Sequence, residues 1–592
     1  MPVYMFQQAE ARVESREEIE QKEKQLVQEL NACRITDKTA VNKLKQFLAG
    51  SDIWHISEMD YLLRMQYEQY LIQDKMTQAS VKRYLKIYDQ IKQYEIAEQM
   101  QTLAGQQKYG WRYRNSILYL RYHPNAKAAE EFEAVRQKNA LVWDFRRNCS
   151  EILKRQIFSC LNRIIETVSS PKERRKKMLA LKSFYNFCAE QSIRDVGLIE
   201  KGHLRLFQQA LDKQGTQAKE SYMSIVNFCR KNAFVESEKI MWNATVWYIE
   251  RFHLTKDRLN ESASLESISF MEIHKKQNRE ILQSYMKYEI GVTGQALSTI
   301  VRRFMAVRNF LEFLEDKDIL AVECTALEIE KYAQKLQERQ IQAKGYNERL
   351  SGIGHFFKFM EVRKYINRVP FRLEYYMQKA VNVHHDRSVE YDVYMEILKK
   401  LYRFPERLRC MFLHLWCIGL RASEVCVLKG NAYYRQGMDC WIQVYQVKMK
   451  TYKRVPIPEG LYQIMEVYLM RHQIQPDDYI FQNTKGGPCL YNTFRYQMLK
   501  ACEENEIENG NYVFKSHDYR HTVATMLFDN EVSIQSIRDY LGHTYEEMTR
   551  QYIDYMPQRI ADANEKFFQA EGESLASWLK KGDSDAGRQN LL

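Results

Sequence analysis

Apolar residues recur at intervals of three and four through most of the first ~380 positions, the spacing of one buried face on successive helices. The pattern also repeats itself. KKMLALKSFYNF (176–187) and RRFMAVRNFLEF (302–313) share basic residues, apolar positions and both phenylalanines at an offset of 126. QGTQAKESY (214–222) pairs with RQIQAKGYN (339–347) at an offset of 125. A fainter copy lies at the start, where VNKLKQFL (41–48) stands for the Phe-bearing helix and KMTQASVKRY (75–84) for the Thr-Gln-Ala helix. Each copy predicts helix, loop, helix, loop, helix over about 70–90 residues. Later, WIQVYQVKMKTYKRVPIP (441–458) alternates through Ile442, Val444 and Val447 and predicts a β-hairpin. The expected fold is mainly α: tandem small helical modules, then a mixed α/β, mostly helical domain carrying a small β-hairpin sheet.

A chain of 592 residues is too long for one core. The repeat divides it into a helical module at 1–104, a bridging segment at 105–150, a second module at 151–255, a third at 270–366, a linker at 367–390, a C-terminal domain at 391–568 and a tail at 569–592. The linker NRVPFRLEYYMQKAVNVHHDRSVE has no helical stripe long enough to form a core, and suits a flexible connection. His384 and His385 within it lack a neighbouring Cys or acid and read as surface residues. The tail carries a short amphipathic run around Trp578 and Leu579.

Charge changes the picture. A net charge of +12, spread rather than clustered, suits a polyanionic partner. The twelve cysteines form no Cys-x-x-Cys pair, so neither a zinc site nor a disulfide framework is indicated, and they suit a reducing cytoplasm. Met1 to Glu20 is polar and acidic rather than a signal peptide, and the longest apolar run, Met411 to Leu420, is too short to span a bilayer. The expected protein is soluble and cytoplasmic.

Candidate chemistry gathers near the C-terminus. In HDYRHTVATMLFDNEVSIQSIRDYLGHTYEEMTRQY (517–552), His517 and Arg520 are three apart and so adjacent on one helical face. His543 follows Arg520 by 23 residues, and Tyr552 follows His543 by nine. A phenol attacks phosphorus only if transition-state charge is neutralised and the leaving oxygen gains a proton. Upstream, Arg421 in CIGLRASEVCVLK supplies a second guanidinium and Lys450 in the hairpin a proton donor.

These words resemble the tyrosine recombinase (phage integrase and Xer) family: its Gly-Leu-Arg-x-Ser-Glu box, hairpin lysine, His-x-x-Arg-His box, Leu-Gly-His box and nucleophilic tyrosine, in order over the last ~200 residues. The resemblance implies that the third module is a helical (SAM-like) core-binding domain that clamps DNA, and the two earlier copies are read as related modules. It implies that Tyr552 attacks a DNA phosphate, giving a 3′-phosphotyrosine and a free 5′-hydroxyl. Tyr555 is its rival, Tyr545 standing too close to His543. Arg421 and Arg520 would hold the non-bridging oxygens. Lys450 would protonate the leaving oxygen; Lys448 and Lys453 compete, and the Lys-Thr-x-Lys wording favours Lys450. His517 is assigned to the tyrosine proton and His543 to a phosphate oxygen, with the two roles left open. Glu424, one turn after Arg421, would orient the basic residues, and His521 is structural. Ile418 departs from the family, where threonine is common.

The implied function is site-specific strand exchange by a mobile-element integrase or transposase, needing no cofactor, metal or nucleotide, as a tetramer on two double-stranded DNA duplexes. An accessory DNA-bending or directionality factor and docking of the tail on a neighbouring protomer are further implied partners. A Xer-like chromosome or plasmid resolvase, a type IB topoisomerase-like enzyme and a DNA-binding regulator without strand exchange are the alternatives.

Overall fold

The computed structural model describes residues 16–109, 113, 116–133, 138–213, 215, 219–263, 265–380, 387–446, 449–543 and 549. It divides into two compact units, Met1–Arg251 and Phe252–Leu592. The fold is mainly α.

The first unit opens with α1 (Arg16–Ala32), α2 (Lys38–Ala49), α3 (Tyr61–Gln73) and α4 (Gln78–Gln99), with a 3₁₀ turn at Ile56–Glu58 between α2 and α3. Side chains start the helices where the sequence supplies N-caps: the Asp37 carboxylate accepts from Ala40 N at 3.1 Å and that of Asp60 from Leu63 N at 2.8 Å. Leu44, Leu48, Tyr67 and Tyr88 form the centre of this bundle. Beside them Arg64 meets Asp89 through two bonds of 2.6 and 2.9 Å, and the Tyr122 hydroxyl donates to the same carboxylate at 2.8 Å. The connection onward contains α5 (Leu103–Tyr109), α6 (Ala126–Glu133) and α7 (Lys138–Leu141), and β1 (Ile117–Tyr119) pairs antiparallel with β2 (Val142–Asp144).

Next come α8 (Glu151–Thr167), α9 (Pro171–Glu190), α10 (Lys201–Lys213) and α11 (Lys219–Val235), with a 3₁₀ turn at Val196–Leu198 between α9 and α10, then β3 (Val246–Tyr248). Ser150 caps α8 through Leu153 N at 3.1 Å, and Pro171 takes the first position of α9, where its missing N–H is not needed. Trp143 and Phe145 from the strand pair complete the core that Phe184 and Phe207 begin.

The second unit starts with β4 (Ser267–Ser269), then α12 (Lys276–Gly291), α13 (Leu297–Glu315), α14 (Ala326–Glu338) and α15 (Ala343–Val362), with a 3₁₀ turn at Ala321–Glu323 between α13 and α14. The order helix, helix, 3₁₀ turn, helix, helix thus occurs three times along the chain. The helices carrying the matched phenylalanines, α9 and α13, begin 126 residues apart, as the repeated words do. Buried Asn278 ties α12 to its neighbours, donating to Glu315 at 3.1 Å and accepting from Ala321 N at 2.8 Å. At Gly352 a Cβ would lie 3.1 Å from that of Ala306, so α13 and α15 approach closely there.

The remainder comprises α16 (Tyr391–Lys400), α17 (Glu406–Ile418), α18 (Ala422–Cys426), strands β5 (Tyr433–Gln436), β6 (Asp439–Gln446) and β7 (Thr451–Pro456), then α19 (Glu459–Arg471), α20 (Tyr491–Glu504), α21 (Ser516–Asp529) and α22 (Ile534–Leu541). The predicted hairpin is β6–β7, widened to a three-stranded antiparallel sheet by β5. Cys440, Ile442, Val444 and Gln446 face inward along β6. Ile418, where the family often has threonine, is fully buried in the apolar core. Among the described residues no helix is long and apolar enough to cross a membrane.

Buried His414 on α17 makes this core pH-sensitive. Its Nδ1 lies 2.6 Å from Cys410 O and its Nε2 2.5 Å from the Tyr433 hydroxyl, so the neutral ring satisfies both neighbours. Burial pushes its pKa down to about 4. The unfolded chain therefore binds a proton below about pH 6.5 that the folded chain refuses until about pH 4, and stability falls as pH drops through that window. This side chain alone is expected to cost roughly 2 kcal/mol at pH 5. Thermal melts from pH 7 to 5 check it: His414→Gln should show a visibly shallower decline than the parent, and parallel curves would disprove the assignment.

Candidate active site

Two left-handed glycines build the frame of the site. Gly419 (φ 62°) ends α17 and turns the chain so that Arg421 stands just before α18. Gly542 (φ 70°) ends α22 and presents His543. A Cβ at Gly542 would lie 2.4 Å from Gln446 Nε2, so only glycine fits this turn without displacing the Gln446 side chain.

Arg520, one turn into α21 beyond His517, is fully buried between those helix ends. Its Nη1 donates to Gly419 O at 2.7 Å and its Nη2 to Leu541 O at 2.6 Å. Both acceptors close a helix, where carbonyl dipoles carry partial negative charge, and this suits a buried guanidinium. Nη2 also lies 2.8 Å from His543 Nε2, which makes that nitrogen an acceptor and leaves Nδ1–H to donate to Thr549 Oγ1 at 3.0 Å. Burial and then the charges of Arg520, Arg421 and Lys453 push His543 down to about 2, so it is neutral.

Glu424 is the counter-charge. Its Oε1 accepts from Arg421 Nη1 at 2.8 Å and its Oε2 from Arg421 N at 3.0 Å. Burial alone would raise its pKa, but Lys453, Arg421 and Arg520 together outweigh burial and hold it below the usual carboxylate range. The carboxylate stays ionised and fixes the Arg421 fork.

The lysine inside this cluster is Lys453. Its Nζ lies 3.8 Å from Glu424 Oε2 and 3.4 Å from Leu541 O, and burial, opposed by Glu424 and reinforced by Arg520 and Arg421, brings its pKa down to about 7. Lys450, the favoured residue from sequence, sits elsewhere: it follows β6 at φ 56°, is half exposed, and pairs with Asp257 at 3.1 Å. Lys448 lies outside the described residues. Strand register explains the difference, because Val444 pairs with Lys453 and Ile442 with Val455, placing Lys453 on the inward face.

His517 opens to solvent at the edge of the site. Partial burial of its ring, then His521, Arg520, Arg421 and Arg387, push it down to about 4. Its ring is 5.5 Å from buried His521. Tyr552, its rivals Tyr545 and Tyr555, the tail residues Trp578 and Leu579, and His384 and His385 all lie outside the described residues.

Of the sequence-assigned residues, Arg421, Glu424, Arg520 and His543 are thus in one cluster, His517 at its rim and Lys450 apart. Sequence reasoning missed Gln446, whose Nε2 is 3.3 Å from Glu424 Oε1 and 3.4 Å from Leu541 O. A signal existed: it is a polar residue at an inward position of an otherwise apolar alternation. Among the described residues the arrangement gathers two guanidiniums, a lysine and two imidazoles, with the Glu424 carboxylate behind them.

The model of the phage integrase family matches residues 387–559, a span that contains every one of these site residues. Residues 387–559 belong to the phage integrase family. The chain is similar to transposase B from transposon Tn554 of Staphylococcus aureus, 25% identical over 347 residues, covering 57% of this chain and 54% of that one. A tyrosine recombinase of Pseudothermotoga lettingae is 26% identical over 297 residues, covering 49% of this chain and 98% of its own. The chain spans about half the length of the Tn554 transposase it matches. Among solved structures, a XerH site-specific recombinase bound to palindromic difH substrate aligns at TM-score 0.39 and 15% identity, over 49% of this chain and 89% of that one.

Proposed function

We propose that this chain is a site-specific DNA recombinase, an integrase or transposase of a mobile element, that cuts and rejoins DNA through Tyr552. The observation that carries the reading is the placement of Arg421 and Arg520, one fixed by Glu424 and the other by two helix ends, beside neutral His543. Such a site suits a phosphodiester, whose two non-bridging oxygens accept from two forks as charge builds in the transition state. An incoming phosphate offers Arg520 a stronger acceptor than Leu541 O or His543, which frees the imidazole, once its proton has shifted from Nδ1 to Nε2, to donate to a phosphate oxygen. The phenol of Tyr552 attacks phosphorus, the 5′ oxygen leaves with a proton, and the phosphodiester energy is kept in the 3′-phosphotyrosine, so rejoining needs no nucleotide. Neutral His517 at the rim is suited to accept the phenol proton.

The remaining assignments belong to the same proposal. The α12–α15 bundle is the DNA clamp, α1–α4 and α8–α11 are related modules, and four protomers act on two duplexes in the cytoplasm with an accessory directionality factor. Similarity to a Tn554 transposase supports the mobile-element role.

The test is a nicked duplex carrying the cognate ends, incubated with the full chain and run on a denaturing protein gel. A protease-sensitive covalent protein–DNA band is expected. Tight binding with no band on cognate and flanking DNA alike would favour a binding-only regulator.

The lysine is decided by the same assay. If Lys450 moves in with DNA, Lys450→Ala should slow cleavage about 10²-fold or more, and a substrate with sulfur at the 5′ bridging position, which leaves without a proton donor, should restore it. Lys453→Ala, which strips Glu424 of a buried partner, should lower the melting temperature as well and not be rescued by sulfur. Rescue of Lys453→Ala and not of Lys450→Ala would reverse the assignment.

A further inference from the structure

One charged cleft outside the integrase region is built like a phosphate site. It lies in the first unit, along the exposed face of α9, has a volume of about 440 Å³, and is lined by Arg147, Lys182, Ser183, Asn186 and, at its exposed rim, Glu190. Arg147 lies over the Tyr185 ring at 6.0 Å. Lys182 is anchored by a 2.8 Å bond to Val142 O, and burial, followed by the nearby charge of Arg147, pushes its pKa down. Asp144, whose charge acts on Lys182, is already engaged by Arg146 through a 3.0 Å ion pair and a 2.9 Å bond to its backbone N–H. The Asn186 Oδ1 is buried with no hydrogen-bond partner, and turning the amide over brings its N–H₂ donor to that position.

The internal repeat shows what is unusual here. At the offset of 126 that aligns α9 with α13, Lys182 corresponds to Arg308 and Asn186 to Glu312. In α13 that pair closes on itself, with Arg308 Nε 3.3 Å from Glu312 Oε1. In α9 the acid is replaced by a neutral amide, so the cleft holds two cations and hydrogen-bonding groups without the internal carboxylate. About two turns toward the helix start, Arg175 and Lys176 continue the basic face into solvent.

We propose that this cleft binds a backbone phosphate of duplex DNA, which makes the α8–α11 bundle a second, sequence-independent grip on DNA. The inference rests on the DNA-recombinase reading of the integrase region. Arg147 offers a planar fork, Lys182 a held ammonium, Ser183 a hydroxyl and Asn186 an amide N–H₂, a donor set for one tetrahedral oxyanion. Each phosphate neutralised adds about 0.9 to the slope of log affinity against log salt.

The experiment measures binding of the full chain to a non-cognate duplex between 50 and 200 mM salt. Two variants are compared with the parent: Arg147→Gln combined with Lys182→Gln, and Asn186→Glu, which restores the acid that α13 carries and so suits the fold. Melting temperatures are recorded alongside. Both variants are expected to flatten the slope by about 1 and weaken binding about threefold or more at low salt. Unchanged slopes in two folded variants would overturn the inference while leaving the recombinase reading intact. Absence of salt-dependent DNA binding by the parent chain would remove both. If inorganic phosphate raised the melting temperature of the parent and not of the variants while DNA slopes stayed equal, the cleft would be a free-anion site and the DNA assignment would fall.

Discussion

Tyr552→Phe is expected to abolish the covalent protein–DNA band, by at least about 10⁴-fold, while DNA affinity stays within about twofold. Removing one oxygen leaves the aromatic ring, and so its packing, in place. Nothing else in the cluster can substitute: the carboxylate of Glu424 is committed to Arg421, and both imidazoles are neutral groups suited to moving protons. Tyr545→Phe and Tyr555→Phe are the controls, and both should retain the band. A band that persists in Tyr552→Phe and disappears in Tyr555→Phe would move the nucleophile by three residues and refute the interval from His543 as a guide.

Arg520→Ala is the second large effect, and it should strike both folding and chemistry. The side chain is fully buried and bridges Gly419 O and Leu541 O, which end α17 and α22. Its loss leaves Gly419 O without its charged donor and Leu541 O with only the longer contacts from Lys453 and Gln446, and removes a cation that holds Glu424 ionised, a cost of roughly 3 kcal/mol. Cleavage should fall about 10³-fold or more, because charge neutralisation at a non-bridging oxygen is lost together with the orientation of His543. Arg520→Lys separates the two contributions. It keeps the charge but not the fork, so most of the melting temperature should return while cleavage stays down about 10²-fold. A variant that melts like the parent and cleaves within tenfold of it would show that Arg520 is structural alone.

Much of the fold was legible from periodicity. The helices of all three bundles follow three-and-four spacing, and the repeated words at 176–187 and 302–313 fall on α9 and α13. The 3₁₀ turns at 56–58, 196–198 and 321–323 were not legible, because a single turn has no period to read. Nor was the second strand pairing on β6, since β5 (Tyr-Tyr-Arg-Gln) shows no apolar alternation and is placed by register with its neighbour.

The candidate site divides along the same line. Arg421 and His543 could be chosen from the sequence because each is held by local backbone geometry that leaves a word behind: Gly-Leu-Arg and Leu-Gly-His are helix ends that need glycine at positive φ, while Arg520 was chosen from the His-x-x-Arg-His spacing on one helix. The sequence by itself therefore determined the helical repeat, the order of the cationic residues and the chemistry they suit. Which lysine enters the cluster, the capture of Arg520 by two helix ends, and the part played by Gln446 were decided only by the tertiary structure. Strand side chains alternate at every residue, so one step of register exchanges inside for outside, and contacts between residues about a hundred positions apart leave no local pattern to read.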